Sequence, residues 1–222
     1  MNPIAILGGT GHQGSGLARR FAAAGAHVIV GSRDPERART VVAAWNAPGP
    51  AVEVGSYAEA IDRGEDIVIA VPFTSVDPLL DEIGRHDVAG KVVVDVTVPI
   101  TFAQGKMAML EVAEGSASEH MRARLPDTVR LAAAFKTVPA HLLADPNISL
   151  DCDDFVCGDS DESRIRAVAL TELLTGLRAV DVGPLARARS IEHLTALAIA
   201  INRRHKVPDA RYRIVGLTAR RA

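Results

Sequence analysis

The chain opens on an apolar run, Ile4-Ala5-Ile6-Leu7, that breaks into glycines and passes at once into helical spacing at Leu17, Ala18, Phe21 and Ala22. The same switch of period recurs downstream. Short β-rich runs at 3–7, 27–31, 51–54, 66–71 and 91–96 alternate with helical patterns near 12–24, 34–46, 56–63 and 75–86. Strands that alternate with helices form βαβ units, so this pattern predicts an α/β fold with a doubly wound, mostly parallel sheet and helices on both faces. A helix near 117–124 and a buried strand from Val129 to Phe135 extend it. Trp45 reads as packing at the end of the second helix, and Asn46-Ala47-Pro48-Gly49-Pro50 is a cluster of breakers, hence a loop.

Beyond about residue 145 the pattern changes. A short strand at Phe155-Val156-Cys157 precedes a helix from 161 to 175, a strand from Leu177 to Val182, and a long apolar helix over 185–205. The division this suggests is a nucleotide-binding domain over 1–128 and a smaller C-terminal α/β domain over 129–222 for substrate and dimerisation. Ile191, Leu194, Leu197, Ala198 and Ile201 recur around most of the last helix, which predicts its burial on the sheet or against a second copy in a homodimer.

The bulk properties narrow the partners. Of 222 residues 48 % are hydrophobic and 23 % charged, enough to bury a substantial core, and the net charge of −2 argues against a nucleic acid or an anionic membrane surface. Arg203-Arg204-His205-Lys206 and Arg220-Arg221 read as a solvated helix end and tail. No apolar run reaches transmembrane length, and the N-terminus runs straight into the first strand, so no membrane partner and no signal peptide are expected. Cys152 and Cys157 fit neither C-x-x-C nor a zinc spacing and are expected as reduced thiols in a cytoplasmic protein.

The glycines carry the first chemistry. Gly9, Gly11 and Gly14 fit G-x-G-x-x-G between a strand and a helix, the dinucleotide fingerprint of a Rossmann unit. The first glycine is expected to make the tight turn, the second to let the backbone approach a pyrophosphate, and the third to pack helix on strand. Thr10, His12 and Gln13 lie in the same loop, where the helix N-terminus presents free N–H groups to phosphate. The second strand selects the dinucleotide. An NAD site places Asp or Glu at its end, about 20 residues past the glycines. This chain has Gly31-Ser32-Arg33, a hydroxyl and a fixed cation suited to a 2′-phosphate, with Arg37 and Arg39 on the following helix. NADP(H) is therefore expected over NAD(H). Asp34, one step late for a ribose, is expected to cap the helix that Pro35 starts.

Ligands of an open α/β sheet bind beyond the carboxyl ends of its strands. Three such ends carry a proline turn: Val71-Pro72-Phe73, Val98-Pro99, and Lys136-Thr137-Val138-Pro139. They are expected to meet at one edge and border a nicotinamide pocket. Lys136 is the one cation at these ends, a candidate hydrogen-bond or proton donor. Asp153, Asp154, Asp159, Asp161 and Glu162 cluster in sequence, but helix capping accounts for them better than a metal, and the seven histidines show no paired ligand spacing. No metal is expected. His193 on the long helix reads as structural or interfacial.

Taken in order, Leu7-Gly8-Gly9-Thr10-Gly11, Gly31-Ser32-Arg33, Val71-Pro72, Phe135 to Ala140, Val156-Cys157-Gly158-Asp159 and Asp181-Val182-Gly183-Pro184-Leu185 resemble the NADPH-dependent coenzyme F420 reductases (F420H2:NADP oxidoreductases) over nearly the whole chain. The resemblance implies a Rossmann domain, a small C-terminal domain and a dimer. It also implies hydride exchange between NADPH and the 5-deazaflavin F420 in a cleft between the domains. Thr10, Ser32 and Arg33 match positions that hold the 2′-phosphate, and the turns at Val71-Pro72 and Thr137-Val138-Pro139 match those bordering the two rings. Lys136 stands where members of that family carry His. Hydride transfer between ring carbons needs face-to-face stacking without water rather than a strong acid or base, which suits a sequence with no catalytic dyad. Reduction of an imine or ketone on the same fold is the alternative, with Lys136 as proton donor. The third reading is an NADP-binding protein without turnover.

Overall fold

The computed structural model describes residues 2–45, 52–103 and 105–217; the loop expected at Asn46–Pro50 and the Arg220-Arg221 pair lie outside these residues. The first half alternates as its periodicity predicts: β1 (Ile4–Leu7), α1 (His12–Ala23), β2 (Val28–Ser32), α2 (Pro35–Ala43), β3 (Glu53–Ser56), α3 (Tyr57–Arg63), β4 (Asp66–Ile69), α4 (Asp77–Ile83) and β5 (Val92–Asp95). Local chemistry starts the helices. Asp34 accepts from Arg37 N at the start of α2, as its position suggests, and Ser56 and Glu59 form a reciprocal capping box on α3.

A hairpin absent from the periodicity follows, β6 (Ile100–Ala103) with β7 (Lys106–Met109), antiparallel and separate from the main sheet. Then come α5 (Ala117–Arg124), β8 (Arg130–Ala133), the single turn α6 (Ala140–Leu143), β9 (Cys152–Gly158), α7 (Asp161–Glu172), β10 (Leu177–Pro184) and α8 (Ala188–His205), the last entered through a 3-10 turn at Leu185–Arg187.

One eight-stranded sheet runs β10-β9-β8-β5-β4-β1-β2-β3. All neighbours are parallel except β8 and β9, where Ala132 faces Gly158. The boundary expected after residue 128 does not divide this sheet: β5 and β8 pair across it, Val92 opposite Arg130, and β9 and β10 extend the same edge. Alternate strand residues feed two cores. Ile4, Ile6, Val28 and Val30 join Leu17 and Phe21 of α1 and Leu170 of α7 on one side. Ala5, Leu7, Ile29 and Ile67 join Ile61, Leu80, Ile83 and Met121 on the other. Full burial of each such large side chain contributes about 1.5–3 kcal/mol.

Helix α8 packs on β8 and β9 through Ala188 and Ile191, beside Phe155 and Cys157. Its opposite face is open, with Leu197 51 % exposed. The burial expected around most of this helix is therefore one-sided within a single chain. Trp45 packs on the first core and lies under the Arg19 guanidinium, 5.6 Å from its ring centroid.

Candidate active site

The strand order reverses between β1 and β4, and the glycine loop sits at that switch point. The tight turn expected at Gly9 falls one residue earlier. Gly8 holds φ +86°, a conformation costly for any residue with a Cβ, and a Cβ there would stand 2.8 Å from Val71. Gly9 is instead confined by Val30, 2.9 Å from where its Cβ would lie. A Cβ on Gly14 would come 2.5 Å from Gly8 O, which is the close helix-to-turn approach its place in the motif predicts. Gly11 caps α1 with no side-chain hydrogen bond, and the first turn carries no acidic residue. The N–H groups of a twelve-residue helix thus face a glycine-rich cradle with no acidic residue in the first turn, which fits a pyrophosphate.

Two cavities flank this cradle. One, of about 320 Å³, is lined by Thr10, Ser32, Arg33, Arg37 and Tyr57. Arg33 and Arg37 are exposed there, whereas Arg39 is engaged by Glu36. The Ser32 hydroxyl sits 3.1 Å from the backbone of Asp34 and shapes the turn that presents Arg33. Tyr57 was not singled out by sequence; it opens α3 from the neighbouring strand end, where burial raises its pKa and Arg33 draws it back.

The other cavity, of about 560 Å³, is lined by Gly11, His12 and Gln13, by Val71, Pro72 and Phe73, by Val98, and by Lys136 through His141. The turns after β4, β5 and β8 thus converge on one cleft. Pro99 is set apart, buried at the base of the hairpin with its carbonyl accepting from Leu110 N. The opposite wall comes from residues sequence reading left out: Thr195, Ala198, Ile199 and Asn202 of α8, with Pro208 and Ala210 beyond it. Asn202 holds that last segment, its Oδ1 accepting from Ala210 N at 2.7 Å. Gln13 reaches across rather than toward the loop: its Nε2 donates to Phe135 O at 2.9 Å and Val138 O at 3.3 Å, tying the cradle helix to the β8 turn.

Lys136 lines the cleft with its side chain fully buried. Its ammonium donates to Asp95 Oδ2 at 2.7 Å, to Glu192 Oε1 at 3.2 Å and to Thr97 O. Three donors meet three acceptors, so the candidate donor at this strand end sits in an internal ion cluster. Burial pulls the ammonium pKa down, but Asp95 and Glu192 more than offset this and hold it above the ordinary lysine value. Glu192, buried and near a second carboxylate, is raised despite the pull of Lys136. Ser118 Oγ donates to Asp95 Oδ2 and Ala117 N to Glu192, so the cluster joins β5, β8, α5 and α8.

The acidic run on β9 and α7 is spent on structure. Asp153 takes a two-pronged contact from Arg178 and accepts from Ile214 N; Asp159 accepts from Leu131 N and Arg122. Ser160 caps α7. Among the described residues no group of three or more His, Cys, Asp or Glu is placed to hold a metal ion. Cys152 and Cys157 are buried free thiols, pushed by burial to about 11 and about 12. His193 is exposed on α8 and bonds back to Arg189 O.

The family described as NADP oxidoreductase, coenzyme F420-dependent, matches residues 3–99. The F420-dependent NADP reductase of Methanothermobacter marburgensis is 37 % identical over 221 residues, covering 96 % of this chain and 98 % of that protein. The F420-dependent NADP reductase of Methanocaldococcus jannaschii is 32 % identical over 96 % of this chain and 98 % of its own. A crystal structure of a protein from Arthrobacter sp. FB24 superposes with a TM-score of 0.82 at 25 % identity, covering 97 % of this chain and all of that one.

Proposed function

We propose a two-substrate cleft for this chain, which belongs to the family of F420-dependent NADP reductases: NADP(H) enters from the glycine loop and the deazaflavin stacks on it from the α8 side. The protein is an NADP-dependent oxidoreductase that moves a hydride between NADPH and coenzyme F420. The observation that carries the site assignment is the continuity of the 560 Å³ cleft, from Gly11 through Val71-Pro72 to Thr137-Val138-Pro139 and α8.

The bound pair supplies a hydride donor carbon and an acceptor carbon. The protein's part is to bind, align and exclude water. The α1 N-terminus and the Gly11 cradle fit the pyrophosphate, and Ser32 and Arg33, with Arg37 behind, fit the 2′-phosphate. Val71, Pro72, Val98, Val138 and Pro139 give the cleft apolar faces against which flat rings stack. No side chain needs to give up a proton. The imine or ketone alternative does need a donor, and the Lys136 ammonium is committed to three buried acceptors.

The open face of α8 supports a homodimer, and two buried free thiols suit a reducing, cytoplasmic setting. No described helix is long and apolar enough to cross a membrane. Mixing the purified protein with NADPH and F420 and following deazaflavin absorbance tests the activity. Loss of the oxidised deazaflavin band is expected at a rate that saturates in both substrates, and an unchanged band would refute it.

A further inference from the structure

The long helix leaves the sheet part-way along its length. The apolar packing of α8 on β8 and β9 runs from Ala188 and Ile191 to Leu194. Beyond that point Thr195, Ala198, Ile199 and Asn202 form one wall of the cleft. The side-chain hydrogen bonds of this outer half go to the periphery. Arg203 donates to Gly105 O between β6 and β7, while Asn202 accepts from Ala210 N and donates to Pro208 O. The facing wall, Thr137-Val138-Pro139, is held by Gln13 through Phe135 O and Val138 O.

Two contacts join the walls, and both meet at Lys136. Glu192 Oε1 accepts from its ammonium at 3.2 Å, and Thr195 Oγ1 donates to its carbonyl at 2.9 Å. Lys136 is gripped at side chain and main chain, next to Thr137 of the facing wall. Glu192 is seated in turn: Oε1 also accepts from Ala117 N at 3.1 Å, at the start of α5, and the side chain is buried. The two anchors stand three residues apart, about 4.5 Å along the helix axis, and Asn202 lies about 10 Å beyond Thr195. Together they fix the tilt of the outer half. A displacement of about 0.5 Å at Glu192, pivoting on Thr195, becomes about 1 Å at Asn202.

We propose that Glu192 is a positioning residue that, with Thr195, sets the spacing between the α8 wall and the β8 turn, and so the distance over which the hydride passes. This rests on the reading of the cleft as the place where both rings stack. Glu192 does not line the cleft; it acts through Lys136 and through the helix that carries it. Stacked rings exchange a hydride only at near-attack distance, and a misplacement of about 1 Å can cost about 10²-fold in rate. Stacking attraction is spread over many weak atom contacts, so affinity tolerates a shift that the transfer step does not. The position demands reach more than charge. Oε1 alone meets both Ala117 N and Lys136, so a neutral acceptor at that reach keeps both contacts.

Glu192→Gln keeps the reach and loses the charge, whereas Glu192→Asp keeps the charge and is one methylene short. Single-turnover reduction of F420 by NADPH, with and without deuterium at the transferred position, follows the transfer step. Hydrogen exchange over residues 195–205 follows the helix without turnover. Glu192→Asp should slow transfer about 10–100-fold while both Michaelis constants stay within about three-fold. A deuterium isotope effect should persist, marking transfer as the slowed step, and exchange over 195–205 should quicken. Glu192→Gln should rescue most of the rate and the wild-type exchange. If Glu192→Asp does not fold, Thr195→Val removes the other anchor and carries the same expectation, with Thr195→Ser as its rescue. A wild-type transfer rate in Glu192→Asp, even with a lowered melting temperature, would overturn the proposal. So would Glu192→Gln as the slower of the two, which would make charge the requirement. A wild type that reduces no F420 would refute the activity alone, and exchange would still decide the anchor: equal exchange in all three proteins would overturn it.

Discussion

Asp154 gives the sharpest physical prediction, because a carboxyl with no exposure has been placed where its charge is poorly served. Its Oδ2 accepts from Phe135 N at 2.7 Å and lies 3.4 Å from Thr171 Oγ1, while Oδ1 has no partner. Burial pushes the pKa from the ordinary aspartate range to about 7, against the pull of the Phe135 N–H, Thr171, Phe155 N–H and Lys136. The folded pKa lies above the unfolded one, so between the two the folded state binds more protons and stability falls as pH rises. At about 1.4 kcal/mol per pH unit per proton, Asp154 should lower stability by about 3 kcal/mol between pH 5 and pH 8. Asp154→Asn keeps an acceptor for Phe135 N and cannot ionise. Urea denaturation of both proteins across that range isolates this group, since every other titration is common to both. The difference in unfolding free energy, variant minus wild type, should grow by about 3 kcal/mol from pH 5 to pH 8 with unchanged m-values. At two to four degrees per kcal/mol for a chain of this size, that is roughly 6–12 °C in melting temperature. A difference that stays flat with pH would refute the argument. The choice of residue also matters for the site. Phe135 is held in the left-handed region at φ +58°, strained for a bulky side chain, and Asp154 and Gln13 grip its N–H and C=O just before the turn that enters the cleft.

Arg33→Ala removes a charge-assisted grip on the 2′-phosphate that contributes on the order of 1.5–3 kcal/mol. The NADPH Michaelis constant should rise at least ten-fold with little change for NADH, and equal losses for both cofactors would sink the NADP assignment. Lys136→Met leaves Asp95 and Glu192 buried without their cation, which should cost about 3–5 kcal/mol by denaturant titration; a fully stable variant whose maximal rate alone collapses would point to proton donation instead. Leu197→Glu places a charge on the open face of α8, and sedimentation at micromolar concentration should show a monomer where wild type is a dimer. A monomeric wild type would refute that interface.

The fold was legible wherever local order decides. Ile4–Leu7, Val28–Val30, Asp66–Ile69 and Val92–Asp95 are buried strands of a parallel sheet, so they read as near-continuous apolar runs, and α2 and α3 between them carry their own side-chain caps. The glycine loop and Gly31-Ser32-Arg33 stand out for a local reason, since the motif and the strand end both belong to the first βαβ unit, although Gly8 packs on Val71 and Gly31 on Ala60 from beyond it. The β6–β7 hairpin was not: its strands pair only with each other, Phe102 is exposed, and the four-residue alternation of β7 is too short to mark a strand. The C-terminal part reads as a smaller domain because the alternation of strand and helix changes after about residue 145, while the acids Asp153 and Asp154 sit on β9 of the main sheet. Their partners are Arg178 and Ile214 N for Asp153 and Phe135 N for Asp154 Oδ2, between 19 and 61 residues away, which no local window contains.

Lys136 shows the same limit at the site. A lysine after a strand reads as a candidate donor in a cleft, and here all its donors are spent on the protein's own Asp95, Glu192 and Thr97. Its partners Asp95 and Glu192 lie 41 and 56 residues away and arrive on two other elements. Each left a faint trace. Asp95 ends a buried valine strand, and Glu192 stands one helical turn from Ala188 on a face otherwise made of Ile191 and Ala198. An acid in such a place must be paired or neutral, so two buried acids and one lysine at strand and helix ends already required one another. The cluster closes a chain of constraints: the glycine loop fixes α1, Gln13 fixes the β8 turn, and Lys136 fixes Thr97. The end of the cleft beyond β5 and β8 is thereby held by residues that satisfy one another's polar groups across four elements.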